Sequence, residues 1–79
     1  MNYNDGNEAM LGDVIAIDGS YRGTVVACMD RNEYSQEYSR EHWSYLGKGI
    51  MVNTDFGGLV HYADGTQEHM ALMSRANKS

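Results

Sequence analysis

Seventy-nine residues make one domain, and a chain of that length buries only about 60% of its unfolded surface, leaving little room for an enclosed active site. An apolar content of 42% argues against wholesale disorder, while a net charge of −5 argues against non-specific nucleic-acid binding, which releases counterions from phosphates. The lone Cys28 can form no internal disulfide, and neither a basic-then-apolar leader nor an apolar run of ~20 residues is present, so a soluble, cytoplasmic protein is expected.

Residues 1–9, "MNYNDGNEA", lack periodicity and read as a flexible tail. Four short β-rich runs follow. The first is "DVIAID" at 13–18, closed by Gly19 and Ser20, and the second is "GTVVACMD" at 23–30, with three consecutive β-branched residues. "GIMVNTD" at 49–55 and "GLVHYAD" at 58–64 are joined through Phe56 and Gly57, the pattern of a hairpin. A fifth run, "EHMALM" at 68–73, fits either a short strand or a helical turn after Asp64-Gly65. With no proline in the chain, its turns fall to Gly, Asn and Asp.

The segment between the second and third runs, "RNEYSQEYSREHWSYLGK", differs in kind. Its second half reads as a short helix with Ser39 as N-cap, Glu41 at the positive end of the dipole and Gly47 at the closing position. Trp43 and Leu46, three apart, share one face and are expected to plug the open end of a barrel.

Five short strands at this spacing predict an all-β fold, a small five-stranded SH3-like barrel with a short helix inserted between strands 2 and 3. The domain would span 10–75, with 76–79 frayed. The predicted core is Val14, Ala16, Val25, Ala27, Trp43, Leu46, Ile50, Val52, Val60, Tyr62 and Leu72. A slip of one residue would exchange the faces of any strand.

The order of a G-D-V opening, a G-T-V-V second strand and a following hairpin resembles the SH3-like barrels, including the KOW-type modules. The set Gly23-Thr24-Val25-Val26, Trp43-Ser44-Tyr45-Leu46, Gly49 and Gly58-Leu59-Val60-His61-Tyr62 also resembles a family of small, mostly uncharacterised bacterial proteins, over residues 12–75. That resemblance implies the fold, and it implies a role as a cognate inhibitor of a toxin or a phage-borne antagonist. The basic loop residues that KOW modules use on nucleic acid are missing here.

Chemistry is sparse. His42, His61 and His69 match no zinc spacing, and Cys28 lies inside a strand without a neighbour that would lower its pKa, so no metal site and no cofactor are expected. His61 alternates with Val60 and Tyr62 and reads as a half-exposed sheet residue. No G-x-S-x-G surrounds a serine, and "GKG" at 47–49 lacks the remainder of a P-loop. Catalysis is therefore the least supported class.

One feature rises above this background: Tyr34, Tyr38, Trp43 and Tyr45 fall within twelve residues, interleaved with Glu33, Glu37 and Glu41. Aromatic side chains with polar tips supply large contact areas at interfaces for few rotatable bonds. The sequence is thus read as a non-catalytic protein-binding module, of inhibitor or immunity type, holding one basic protein partner through Tyr34, Glu37, Tyr38, Glu41 and Tyr45. The alternative is a nucleic-acid-binding SH3-like module using Arg22, Arg31, Arg40 and Lys48 beside the aromatics. A monomer or weak homodimer is expected, because open sheet edges can pair between copies.

Overall fold

Strands form where the apolar, β-branched runs are bounded by turn residues. In the computed structural model, which describes residues 2–35, 38–63 and 69–75, they are β1 (Val14–Ile17), β2 (Tyr21–Cys28), β3 (Glu33–Tyr34), β4 (Ile50–Thr54), β5 (Gly58–Tyr62) and β6 (Met70–Ser74). The ambiguous fifth run is therefore a strand. A single α-turn, α1 (Arg40–Trp43), passes directly into a 3-10 turn at Ser44–Leu46. Ser39 holds the predicted N-cap position in extended conformation, and Gly47 closes the pair of turns with a φ of 81°. Among the described residues no helix is long and apolar enough to cross a membrane.

All strand pairs are antiparallel, in the order β5-β4-β2-β1-β6. At eight residues, β2 is long enough to pair β1 along its first half and β3 at Ala27 and Cys28, with β4 on its other edge. Among the described residues the fold is all-β with six strands, not the five expected. Two-residue β3 carries no alternation by which a sequence could announce it. No described pairing joins β5 to β6, so the sheet has two ends and does not close.

The main core gathers Ile15, Ile17, Val25, Cys28, Ile50, Val52, Tyr62 and Met70, with Val60 and Leu72 packed at its border. This corrects the parity expected of β1, where Val14 and Ala16 are only half-buried and the two isoleucines are fully buried. Four consecutive apolar residues have no period of their own. Pairing of Ile15 with Gly23 and Leu72, and of Ile17 with Tyr21 and Met70, decides which face turns inward.

A bulge in β2 splits the core in two. Val25 pairs with Val52, but the next pair is Ala27 with Met51, so Val26 is the extra residue and the alternation resets. Ala27 then joins Met29 and Met51 in a second, smaller cluster. Met51 alternates with Ile50 and Val52, so this cluster occupies the opposite face of the sheet. Trp43, Leu46, Tyr34 and Val26 pack against it. Trp43 and Leu46 therefore cover the outer face of the sheet and do not plug the end of a barrel.

Residues 2–9, expected as a tail, supply Tyr3 and Ala9 to the main core. The Tyr3 hydroxyl donates to Asp13 Oδ2 at 2.6 Å, and the same fully buried carboxylate accepts from the Met10 N–H at 2.9 Å and from Arg75 Nε at 3.0 Å. Arg75 also donates through Nη2 to the Glu8 carbonyl oxygen at 2.6 Å. Asp13 thus ties together both ends of the described chain and the start of β1.

Burial, the hydrogen bond to Asp13 and the charge of Asp13 all push the Tyr3 phenol far above its ordinary value. Burial likewise pushes the Cys28 thiol up. Both groups hold their protons more tightly in the folded chain than in the unfolded one. Their contribution is complete below the unfolded pKa values, roughly 8.5 for Cys and 10 for Tyr, and is lost as pH rises above them. We expect urea midpoints flat from pH 7 to 8 and falling above about pH 9. The Tyr3→Phe/Cys28→Ala variant, less stable at neutral pH, should show a shallower alkaline decline; equal slopes would refute the assignment.

Candidate functional site

The outer face of the sheet is where the aromatic residues collect. The turns of residues 39–47 pack over Ala27, Met29 and Met51 through Trp43 and Leu46. Above that anchor three rings stand side by side. Tyr38 lies 6.3 Å from Trp43, centroid to centroid and tilted by 44°, and Tyr45 lies 6.4 Å from Trp43, stacked within 25°. Such spacings are those of interacting aromatic pairs.

Sequence spacing does not announce this row. In a regular α-helix residues two apart point to nearly opposite sides, which would separate Trp43 from Tyr45. Here Trp43, with φ −117° and ψ −9°, departs from regular α-helix values as the α-turn passes into the 3-10 turn. That local change places the two rings together. Tyr45 is 76% exposed, the most open large hydrophobic side chain among the described residues, while Trp43 is half-buried.

The residues expected to bind a partner are therefore distributed as follows. Tyr38 and Tyr45 form the two ends of the row, and Glu41 is exposed on the α-turn between them. Tyr34 is half-buried against the second cluster, beneath the segment. Glu37 lies outside the described residues. Trp43, read from sequence only as packing, is the centre of the row. Glu33 is engaged elsewhere, accepting from the Leu11 N–H at 3.2 Å and pairing with Arg31 at 3.3 Å.

The four cations of the nucleic-acid alternative do not converge. Arg31 is bridged to Glu8 and Glu33. Arg40 lies within the aromatic segment and Lys48 follows it, but Arg22 lies near Asp55 at the far end of β4 from Lys48. A five-residue strand separates them, about 17 Å at the usual rise.

His61 and Cys28 each meet a backbone carbonyl oxygen. His61 Nε2 lies 2.8 Å from the Lys48 carbonyl oxygen; the oxygen only accepts, so Nε2 carries the proton and pins β5 to the turn before β4. The Cys28 thiol is buried and points to the Ala9 carbonyl oxygen at 3.5 Å, and its raised pKa is the reverse of what a reactive thiol needs. No three His, Cys, Asp or Glu among the described residues cluster as a metal site would require. A shallow groove of about 310 Å³ runs over Val14, Arg22, Thr24, Asn53 and Asp55, open to solvent on the uncovered half of the outer face.

No protein-family model, curated protein or solved structure matches this chain.

Proposed function

We propose that this chain is a non-catalytic protein-binding module on a small SH3-like barrel, engaging one protein partner through the aromatic row Tyr38, Trp43 and Tyr45 with Glu41 at its side. The observation that supports this reading is the row itself. Three adjacent rings, the outermost largely in solvent, are held on a segment anchored to the sheet from beneath. Rigid aromatic contact area of this kind supplies the central anchors of protein interfaces. The strand order β5-β4-β2-β1-β6, with the inserted segment between β2 and β4, supports an SH3-like arrangement left open between β5 and β6. Small size and an acidic balance fit an inhibitor or immunity-type antagonist acting on a basic partner.

Affinity capture from cells, wild type against Tyr38→Ala/Tyr45→Ala, tests the reading. The variant should melt like wild type, since Tyr45 is exposed and Tyr38 is outside both core clusters. It should lose the captured partner, with affinity reduced at least ~30-fold, the effect of one anchor worth about 2 kcal/mol. Capture unchanged by the double substitution would overturn the proposal.

Arg40 and Lys48, close to the row in sequence, give a second reading, stacking of single-stranded nucleic acid. Trp43 is the sole tryptophan, so its fluorescence reports directly on the face. Quenching by oligothymidylate that weakens steeply with salt would favour that reading over a protein partner.

A further inference from the structure

We propose that the outer edge of β5 is a self-association edge, on which the β5 strand of a second copy adds in antiparallel orientation. The two ends of the sheet are treated differently. At β6 the N-terminal segment occupies the free edge. The Asn4 N–H donates to the Met70 carbonyl oxygen at 3.0 Å, the Met70 N–H donates to Asn4 Oδ1 at 2.7 Å, and the Leu72 N–H donates to Asp5 Oδ2 at 2.9 Å. This is a cover built from side chains that imitate a neighbouring strand.

Along residues 59–61 of β5 nothing comparable is present among the described residues. The backbone of Leu59, Val60 and His61 takes part in the β4 ladder, and no described group bonds it on the side away from β4. The strand also lacks the devices that keep edges apart. Its sequence, Gly58-Leu59-Val60-His61-Tyr62, holds no proline and no formal charge, and its register against β4 is continuous over five pairs. Leu59 stands exposed on the outer face.

The argument for a second copy, in place of a foreign strand, is self-complementarity. An antiparallel copy centred on Val60 sets Val60 against Val60 and Leu59 against His61 of the other chain, related by a two-fold axis. No like charges meet. Each chain carries a net charge of −5, so copies repel in most orientations, and an acid-free edge is where approach costs least. The aromatic row lies on the inserted segment and is independent of this edge.

The test combines sedimentation from micromolar to millimolar protein with amide hydrogen exchange at both extremes. Wild type should form a dimer with rising concentration, and alternate β5 amides, those not facing β4, should slow only in the dimer. Leu59→Lys should weaken dimerisation by at least about tenfold without changing the melt, while Tyr45→Ala should dimerise like wild type. A monomer across the whole range would overturn the proposal, whether or not another protein's strand takes the edge. So would a dimer in which every β5 amide exchanges as in the monomer. The exchange pattern of the wild type decides the matter even if Leu59→Lys fails to fold.

Discussion

Replacing Asp13 by alanine should remove about 3–5 kcal/mol of stability, the scale for breaking a buried ion pair by deleting one partner. The carboxylate is fully buried and accepts from Tyr3, Met10 and Arg75. Its loss leaves the buried Tyr3 hydroxyl and the Met10 N–H without this acceptor, and it removes the carboxylate that pairs with Arg75, whose bond to the Glu8 carbonyl oxygen remains. A domain of this length is held by roughly 4–12 kcal/mol in all, so the variant would be largely or wholly unfolded near 37 °C. Since each kcal/mol moves the melting temperature of a domain this small by about 4–8 °C, a shift of ~15 °C or more is expected. Asp13→Asn keeps an acceptor for Tyr3 and should lose less, and Tyr3→Phe, which deletes one donor, should cost about 1 kcal/mol. A melting temperature within a few degrees of wild type for Asp13→Ala would show that the network contributes little.

Gly49→Ala should be comparably damaging for a different reason. Gly49 has φ +84°, a conformation that costs an L-residue roughly 1–2 kcal/mol before any contact is considered. A Cβ there would overlap the Tyr62 carbonyl oxygen and lie 2.7 Å from Ala63 Cα. Both are backbone atoms, so no side-chain rotation relieves the collision. The start of β4 would have to move away from the end of β5. Two further bonds depend on its position, the Gly49 N–H to Asp30 Oδ1 at 3.1 Å and the Met29 N–H to the Gly49 carbonyl oxygen at 2.9 Å. We expect a loss of about 3 kcal/mol or more, read as a lowered urea midpoint with unchanged slope. Gly57→Ala, where a Cβ meets open space, is the control and should stay within about 1 kcal/mol of wild type. Equal midpoints for the two variants would mean that the close approach at Gly49 is relaxed at little cost.

The candidate site was legible in part. The density of aromatics between 34 and 45 is visible in the chain, and Tyr38 and Tyr45 each lie beside Trp43. Trp43 was read as packing alone because helical spacing pairs it with Leu46. Its second role depends on a break in helical geometry that no residue pattern marks. Tyr34 is among the residues expected to bind a partner, yet pairing of β3 with Ala27 turns it toward the second cluster.

The sequence by itself determined where strands and turns lie. β-Branched runs favour the pleated state locally, and Gly, Asn and Asp punctuate them, so the β1, β2, β4 and β5 segments and the turn from Ser39 to Gly47 could be read directly. It also determined the acidic balance. Tertiary structure alone decided which isoleucines of β1 face inward, which residue of β2 bulges, and that Tyr3 is core. These outcomes rest on partners far apart in the chain: Tyr3 meets Asp13 ten residues on, and Asp13 meets Arg75 sixty-two residues further. Local propensity carries no information about such pairings, because their free energy is gained only when the sheet register brings the groups together.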